Sequence, residues 1–244
     1  ASASCPRMGR GRGMSRYVAV MGMFMADADE RADDEEGGGW DDPGELRPLV
    51  AFDFDGTLTA RDSFMNYLSW KSGRTRYALG LSRLSLPSAA YLRHRDRGRL
   101  KAALVKEFLA GVPRDELEES ARAFAEARAQ KLFRPDALAT WRRWRQRGAT
   151  LVIVTASPEI IVAPFARGIG ADLLLGTQLL FDDEGRVTGE LNGPNCRGAE
   201  KVARLRAQFG ADVRLSAAYG DTAGDKEMLA IAGEKGFRVF TGRP

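Results

Sequence analysis

Histidine is nearly missing from this 244-residue chain, where His94 is the only one. One imidazole is too few for a histidine nucleophile with a histidine partner, or for a histidine-ligated pair of metals. Cysteine is almost as scarce. Cys5 and Cys196 lie far apart and form no metal or redox spacing, so an oxidised, secreted scaffold is not expected and a reducing cytoplasm is. Six positions after Cys196 stands Val202, not arginine, so the phosphate loop of cysteine-nucleophile enzymes is missing. No glycine-rich loop leads into Lys-Ser or Lys-Thr, which excludes a P-loop nucleotide hydrolase.

What is present bounds the fold. With 44% hydrophobic residues, 244 residues suffice for one sizeable core and a smaller subdomain. The formal charge of +4 is uneven: residues 1–47 hold six arginines and no lysine against ten acids, leaving 31 basic and 23 acidic residues in 48–244. That excess suits an anionic substrate or an anionic membrane surface, and equally fits ordinary solvated surface. Residues 1–47 read as a disordered N-terminal extension, with a Gly/Arg run, an apolar patch from Tyr17 to Met25 and an acidic run. The patch follows four arginines as in a signal peptide, but it passes directly into acids, so secretion is not expected. Gly9, Gly11 and Gly13 have no strand before them and no helix after, which rules out a dinucleotide loop.

Order is expected from Leu49-Val50-Ala51-Phe52, a buried strand ending at Asp53. From about Ser63 to Phe133 the pattern is helical, with Leu117, Ala121 and Phe124 on one face. Trp141 and Trp144 mark a further helix closed by Gly148, before a second buried strand, Thr150 to Val154, that ends at Thr155. Residues 173–192 read as a strand pair around Asp182-Asp183-Glu184-Gly185, and a helix carrying Lys201 follows. Ser216 to Tyr219 is a third core strand, ending at Gly220-Asp221, and Phe237 to Phe240 reads as a last one. Strands alternating with helices predict an α/β fold with a parallel sheet covered on both faces. Ligands of such sheets bind beyond the carboxyl ends of the strands, where Asp53, Thr155 and Asp221 are expected to converge.

Asp53-Phe54-Asp55-Gly56-Thr57 sets two carboxylates two residues apart at the end of an apolar strand, and Gly220-Asp221-Thr222-Ala223-Gly224-Asp225 adds two more. Like charges gathered in a partly desolvated site need a cation to stay ionised. Carboxylates with no imidazole or thiolate beside them select a hard ion such as Mg²⁺.

Together with Thr155 and Lys201, these residues resemble, in order and spacing, the four motifs of the haloacid dehalogenase superfamily, over nearly all of 49–244. The resemblance implies a Rossmann-like core and a Mg²⁺-dependent phosphatase forming an aspartyl-phosphate. It makes Asp53 the nucleophile and Asp55 the acid and base. Mg²⁺ would be held by Asp53, the backbone carbonyl of Asp55, and Asp221. Asp225 would stand behind these ligands, orienting metal-bound water or Lys201. Thr155 and the amide of Ala156 would bind phosphoryl oxygens, and Lys201 would offset their charge. An acid at position 55 favours phosphate esters over halides.

The helical insertion resembles the small cap of the IB branch, which includes phosphoserine phosphatase and a bacterial phosphatidylglycerophosphatase. The implied layout is a catalytic core of 48–60 and 134–244 with a cap of 61–133. The substrate is then a small phosphorylated metabolite, with phosphoserine first, or a phospholipid headgroup. A phosphotransferase and a non-catalytic binder of phosphorylated ligands are the other readings. Phosphoserine phosphatases usually carry Glu where Asp62 stands and Asn where Gly224 stands. The segment from Tyr77 to Leu92, followed by Arg93, His94, Arg95, Arg97 and Arg99, is apolar and then basic. It suits peripheral contact of the cap with an anionic bilayer as well as plain cap packing, and Arg83 and Pro87 make it too interrupted to span one. No nucleic-acid motif accompanies the basic residues, and no nucleic-acid partner is expected.

Overall fold

The apolar runs around 49–52, 150–154 and 215–219 become neighbouring strands of one sheet. The computed structural model describes residues 47–94 and 97–244, and the side chains of all of these but 85–94. The expected disorder of the N-terminal extension falls almost wholly outside the described residues.

Five strands, β1 (Leu49–Phe52), β2 (Thr150–Pro158), β3 (Leu173–Thr177), β6 (Leu215–Gly220) and β7 (Ala232–Phe237), form a parallel sheet in the order β3-β2-β1-β6-β7. β1 sits at the centre, with Val50, Ala51 and Phe52 paired to Leu151, Val152 and Ile153 on one side and to Ala217, Ala218 and Tyr219 on the other. Leu151 to Val154 are fully buried, as continuous apolar strands of a doubly covered sheet must be. The connections run from β1 outward to β2 and β3, then return to β6 and β7. The direction therefore reverses beside β1, and a crevice opens beyond its carboxyl end.

Between β1 and β2 lie four helices: α1 (Ser63–His94), α2 (Arg97–Leu109), α3 (Arg114–Leu132) and α4 (Pro135–Gln146). Gly73, at φ 73° and ψ 161°, breaks α1 into two helices. Leu117, Ala121 and Phe124 of α3 are fully buried on one face, as their spacing predicted. The chain enters and leaves this helical region as a short ladder. Thr59 bridges Phe133, the Ala60 amide donates to Leu132, and the Arg134 amide donates to Leu58. α4 starts with Pro135, whose missing amide costs nothing in a first turn, and buries Trp141, whose indole N–H donates to the Ile169 carbonyl. Among the described residues no helix is long and apolar enough to cross a membrane.

α5 (Glu159–Gly168), α6 (Ala199–Phe209) and the short α7 (Lys226–Ala230) complete the sheet's cover. The expected strand pair within 173–192 is realised by β4 (Leu179–Phe181) and β5 (Val187–Leu191), which are antiparallel, while 173–177 joins the main sheet as β3. β5 packs against α2 at Gly189, where a Cβ would come within 3.1 Å of the Lys106 backbone.

Two expectations need correction. The last strand is Ala232–Phe237, not 237–240, and it stops where Arg238 takes φ 56°. As the sheet edge it exposes Glu234 and Lys235, so it lacks an apolar run, and its Gly236 leaves room for the Tyr219 ring. The second strand passes beyond Thr155 to Pro158, with an irregularity between Val154 and Pro158.

Candidate active site

At the carboxyl end of β1, the Asp53 amide still donates to the Tyr219 carbonyl, so its side chain starts from a fixed strand end. The next residue, Phe54, is fully buried against Phe133 and Phe165, at ring separations of 6.0 and 5.6 Å. This anchors the loop and leaves Asp53 and Asp55 facing the crevice. There they line a cavity of about 370 Å³ with Asp62, Phe64, Lys101, Ala156, Ser157, Arg197, Lys201 and Asp225 among its walls.

Lys201, in the first turn of α6, is 1% exposed and uses all three of its N–H groups. They go to Asp53 Oδ1 at 2.6 Å, the Val154 carbonyl at 2.6 Å and Asp225 Oδ1 at 2.7 Å. The two carboxylates fare differently. Asp225 also accepts from the Thr222 amide and hydroxyl at 2.8 and 2.9 Å and from the Asp221 amide at 3.3 Å, while Asp53 gains only the Thr57 hydroxyl at 3.2 Å. Burial therefore pushes Asp53 up to about 7 despite Lys201. Burial acts in the same sense on Asp225, but Lys201 and the Thr222 bonds outweigh it and hold that carboxyl below its ordinary range. Lys201, in turn, is raised, because Asp53 and Asp225 together overcome its burial.

Asp55 turns to the other side. Its Oδ1 accepts from the Ser63 amide at 2.6 Å and its Oδ2 from the Ser157 hydroxyl at 2.5 Å. Burial, and then the negative charge of Asp62, raise it to about 6. Asp62 caps the start of α1 by accepting from the Met65 amide at 2.7 Å, while also lining the cavity.

Among the described residues, the carboxylates that converge closely enough to share a cation are Asp53, Asp221 and Asp225, with one oxygen of each within 4.8 Å of the others. Asp225 is saturated by its hydrogen bonds, but Asp221 Oδ1 is buried with no partner. Burial and then Asp225 raise the Asp221 carboxyl. Hard oxygen donors, one of them orphaned in a cluster short of positive charge, fit a divalent cation of the Mg²⁺ type. Gly56, at φ 84°, makes the approach feasible, because a side chain there would overlap the Asp221 carboxylate.

Thr155 is fully buried and its hydroxyl accepts from the Ser157 amide at 3.0 Å, while Ala156 and Ser157 line the cavity. The Ala156 carbonyl accepts from Thr177 Oγ1 at 2.7 Å and from Lys101 Nζ. Lys101, reaching in from α2, has its ammonium 5.8 Å from the Phe64 ring centre. Its burial lowers its pKa, opposed by Asp55 and Asp62. Ser157, Lys101 and Thr57 were not singled out from sequence. Ser157 had a signal in its position two residues beyond Thr155, whereas nothing local to a helix distinguishes Lys101. Of the apolar-then-basic segment, the side chains of 85–94 and residues 95–96 lie outside the described residues, and the expected membrane contact falls largely on them.

A family model described as haloacid dehalogenase-like hydrolase matches residues 50–230. Protein CicA of Caulobacter vibrioides is 61% identical over 196 residues, covering 80% of this chain and 88% of that protein. A phosphoserine phosphatase of Halobacterium salinarum is 30% identical over 189 residues, covering 76% and 82%. Among solved structures, a Bordetella pertussis protein of unknown function is similar with a TM-score of 0.64 at 22% identity, over 76% of this chain and 87% of that one.

Proposed function

The chain belongs to the haloacid dehalogenase-like hydrolases, and from that premise we propose that it is a phosphatase cleaving a phosphate monoester through a phosphorylated Asp53. The observation that carries this reading is the pairing of two carboxylates with opposite surroundings on one cavity. Asp53 is gripped by the ammonium of Lys201, whereas Asp55 is held only by the neutral donors of Ser63 and Ser157.

An Asp53 oxygen attacks phosphorus as the ester P–O bond breaks, and the Asp55 carboxylic acid gives its proton to the departing alkoxide. Water then attacks the phosphoaspartate, Asp55 takes its proton, and the P–O bond to Asp53 breaks to release phosphate. A carboxylate approaching an anionic phosphate needs its charge offset, which Lys201 begins to do. Asp53, Asp221 and the backbone carbonyl of Asp55 would hold Mg²⁺, with Asp225 behind them orienting Lys201. Bound there, the ion supplies electrostatic neutralisation of the phosphoryl oxygens and the attacking carboxylate. The Ala156 amide and the Thr155 hydroxyl, which accepts from the Ser157 amide, would bind the phosphoryl oxygens.

Residues 61–133 act as a cap on a core of 48–60 and 134–244. The ladder of Thr59 with Phe133 supports this division, as do Arg97, Leu100, Lys101 and Leu104, which bring α2 over the carboxylates. Such a cap excludes water from the phosphoaspartate. The substrate class is a small phosphorylated metabolite of the phosphoserine type, handled in the cytoplasm, in keeping with the 30% identity to a phosphoserine phosphatase. A phospholipid headgroup is the second reading. It is favoured by an adjoining cleft of about 860 Å³ that shares Arg97, Asn195 and Arg197 with the catalytic cavity and can take a larger leaving group.

The test is phosphate release from phosphoserine, sugar phosphates, nucleotides and phosphatidylglycerophosphate, each with and without Mg²⁺. Metal-dependent release from one class identifies the substrate, and no release from any refutes the proposal.

A further inference from the structure

Lys201 is the cation nearest Asp53, yet none of its N–H groups is left for a substrate, since Asp53, Asp225 and the Val154 carbonyl take all three. A transferring phosphoryl group carries negative charge on three oxygens and needs donors that are not already committed. The same cavity wall supplies one in Arg197, four residues before Lys201. Its guanidinium has five N–H groups, of which one, on Nη1, donates to Thr222 Oγ1 at 3.2 Å.

The seat of that guanidinium is specific. It lies over Gly224, where a Cβ would come 2.5 Å from both Arg197 Cζ and Nη1. Gly224 is not among the glycines of positive φ, so its backbone does not require glycine and the space above it does. The loops are locked together beneath this contact. The Gly198 amide donates to the Gly224 carbonyl at 2.8 Å, and the Arg197 amide donates to the Asn195 carbonyl at 2.7 Å. From Arg197 a hydrogen-bonded chain runs through Thr222 to Asp225, then Lys201 and Asp53. The guanidinium is thus tied to the group it would serve.

We infer that Arg197 binds the phosphoryl group of the substrate, and that Gly224 is side-chain-free in order to admit it. The planar fork of arginine fits two phosphoryl oxygens at once, which a lysine cannot do. This role rests on the phosphatase reading of the site, and it makes position 224 and position 197 a coupled pair.

The experiment uses the full chain with Mg²⁺, as wild type, Arg197→Ala, Arg197→Lys, Gly224→Ala and the double variant Arg197→Ala/Gly224→Ala. Two readouts are taken: kcat/KM on p-nitrophenyl phosphate, whose leaving group brings no second anionic site, and calorimetric binding of orthophosphate. Arg197→Ala is expected to lower kcat/KM about 100-fold, on the scale of losing one preorganised donor, and to weaken orthophosphate binding. Arg197→Lys restores little of either. Gly224→Ala, by displacing the guanidinium, causes a comparable loss alone and almost none in the Arg197→Ala background. Unchanged orthophosphate affinity in Arg197→Ala overturns the inference, as does a Gly224→Ala loss that adds in full to that of Arg197→Ala. If the wild type hydrolyses nothing, the phosphatase reading fails, while the orthophosphate comparison still judges Arg197.

Discussion

Gly56 and Asp221 meet so closely across the site that a Cβ on the glycine would overlap the Asp221 carboxylate. One residue from the strand-end loop thereby sets how near Asp221 can come to Asp53. Gly56→Ala is expected to act twice. Its φ of 84° costs an alanine about 1 kcal/mol, and its methyl group drives Asp221 outward. Thermal unfolding should show a modestly less stable protein, and Mg²⁺ titration should show affinity reduced by far more than that small loss implies.

Lys201→Met should leave Asp53 and Asp225 buried without their shared partner. Breaking a buried pair in this way costs about 3–5 kcal/mol. Urea denaturation at neutral pH should read that loss, and lowering the pH should shrink it as the carboxylates take up protons.

The strand ends were legible because apolar runs stop at them. Leu49 to Phe52 before Asp53, and Ser216 to Tyr219 before Gly220-Asp221, mark both the sheet and its carboxylates within a few residues of sequence. What could not be read depends on contacts between distant segments. Nothing around Lys101 reports that its ammonium will reach the Ala156 carbonyl, and nothing around Gly224 reports that Arg197 will lie over it. β7 escaped for another reason: an edge strand with exposed Glu234 and Lys235 has no need of the apolar pattern that reveals a central one.

Asp55 can be separated from Asp53 by leaving group. Asp55→Asn removes the proposed proton donor, so alkyl phosphates should lose about 100-fold or more in turnover. p-Nitrophenyl phosphate, whose phenolate leaves without a proton, should lose much less in formation of the intermediate. Burst kinetics checks this, since the Asn variant should release nitrophenol in one rapid turnover and then stall at hydrolysis.

The metal-free protein should lose stability as pH rises from about 4 to about 7. Asp53 is raised from 3.8 to about 7 by burial, so the folded state binds a proton that the unfolded state has released across that window. Asp55, raised to about 6, acts in the same sense. Asp225, held low by Lys201, acts oppositely but titrates below most of the window. Melting curves in EDTA should show the decline, Mg²⁺ should reverse it at pH 7, and Asp53→Asn should reduce its slope.

The central claim is that Asp53 carries the phosphoryl group, and acid-quenched turnover followed by peptide mass spectrometry tests it most directly. With a turned-over phosphate ester and Mg²⁺ present, a phosphoryl group should be found on the peptide containing Asp53, at Asp53 itself, and should be missing from Asp53→Asn, which should also be inactive. Full turnover by Asp53→Asn, or a phosphoryl group trapped on any other residue, would contradict the account.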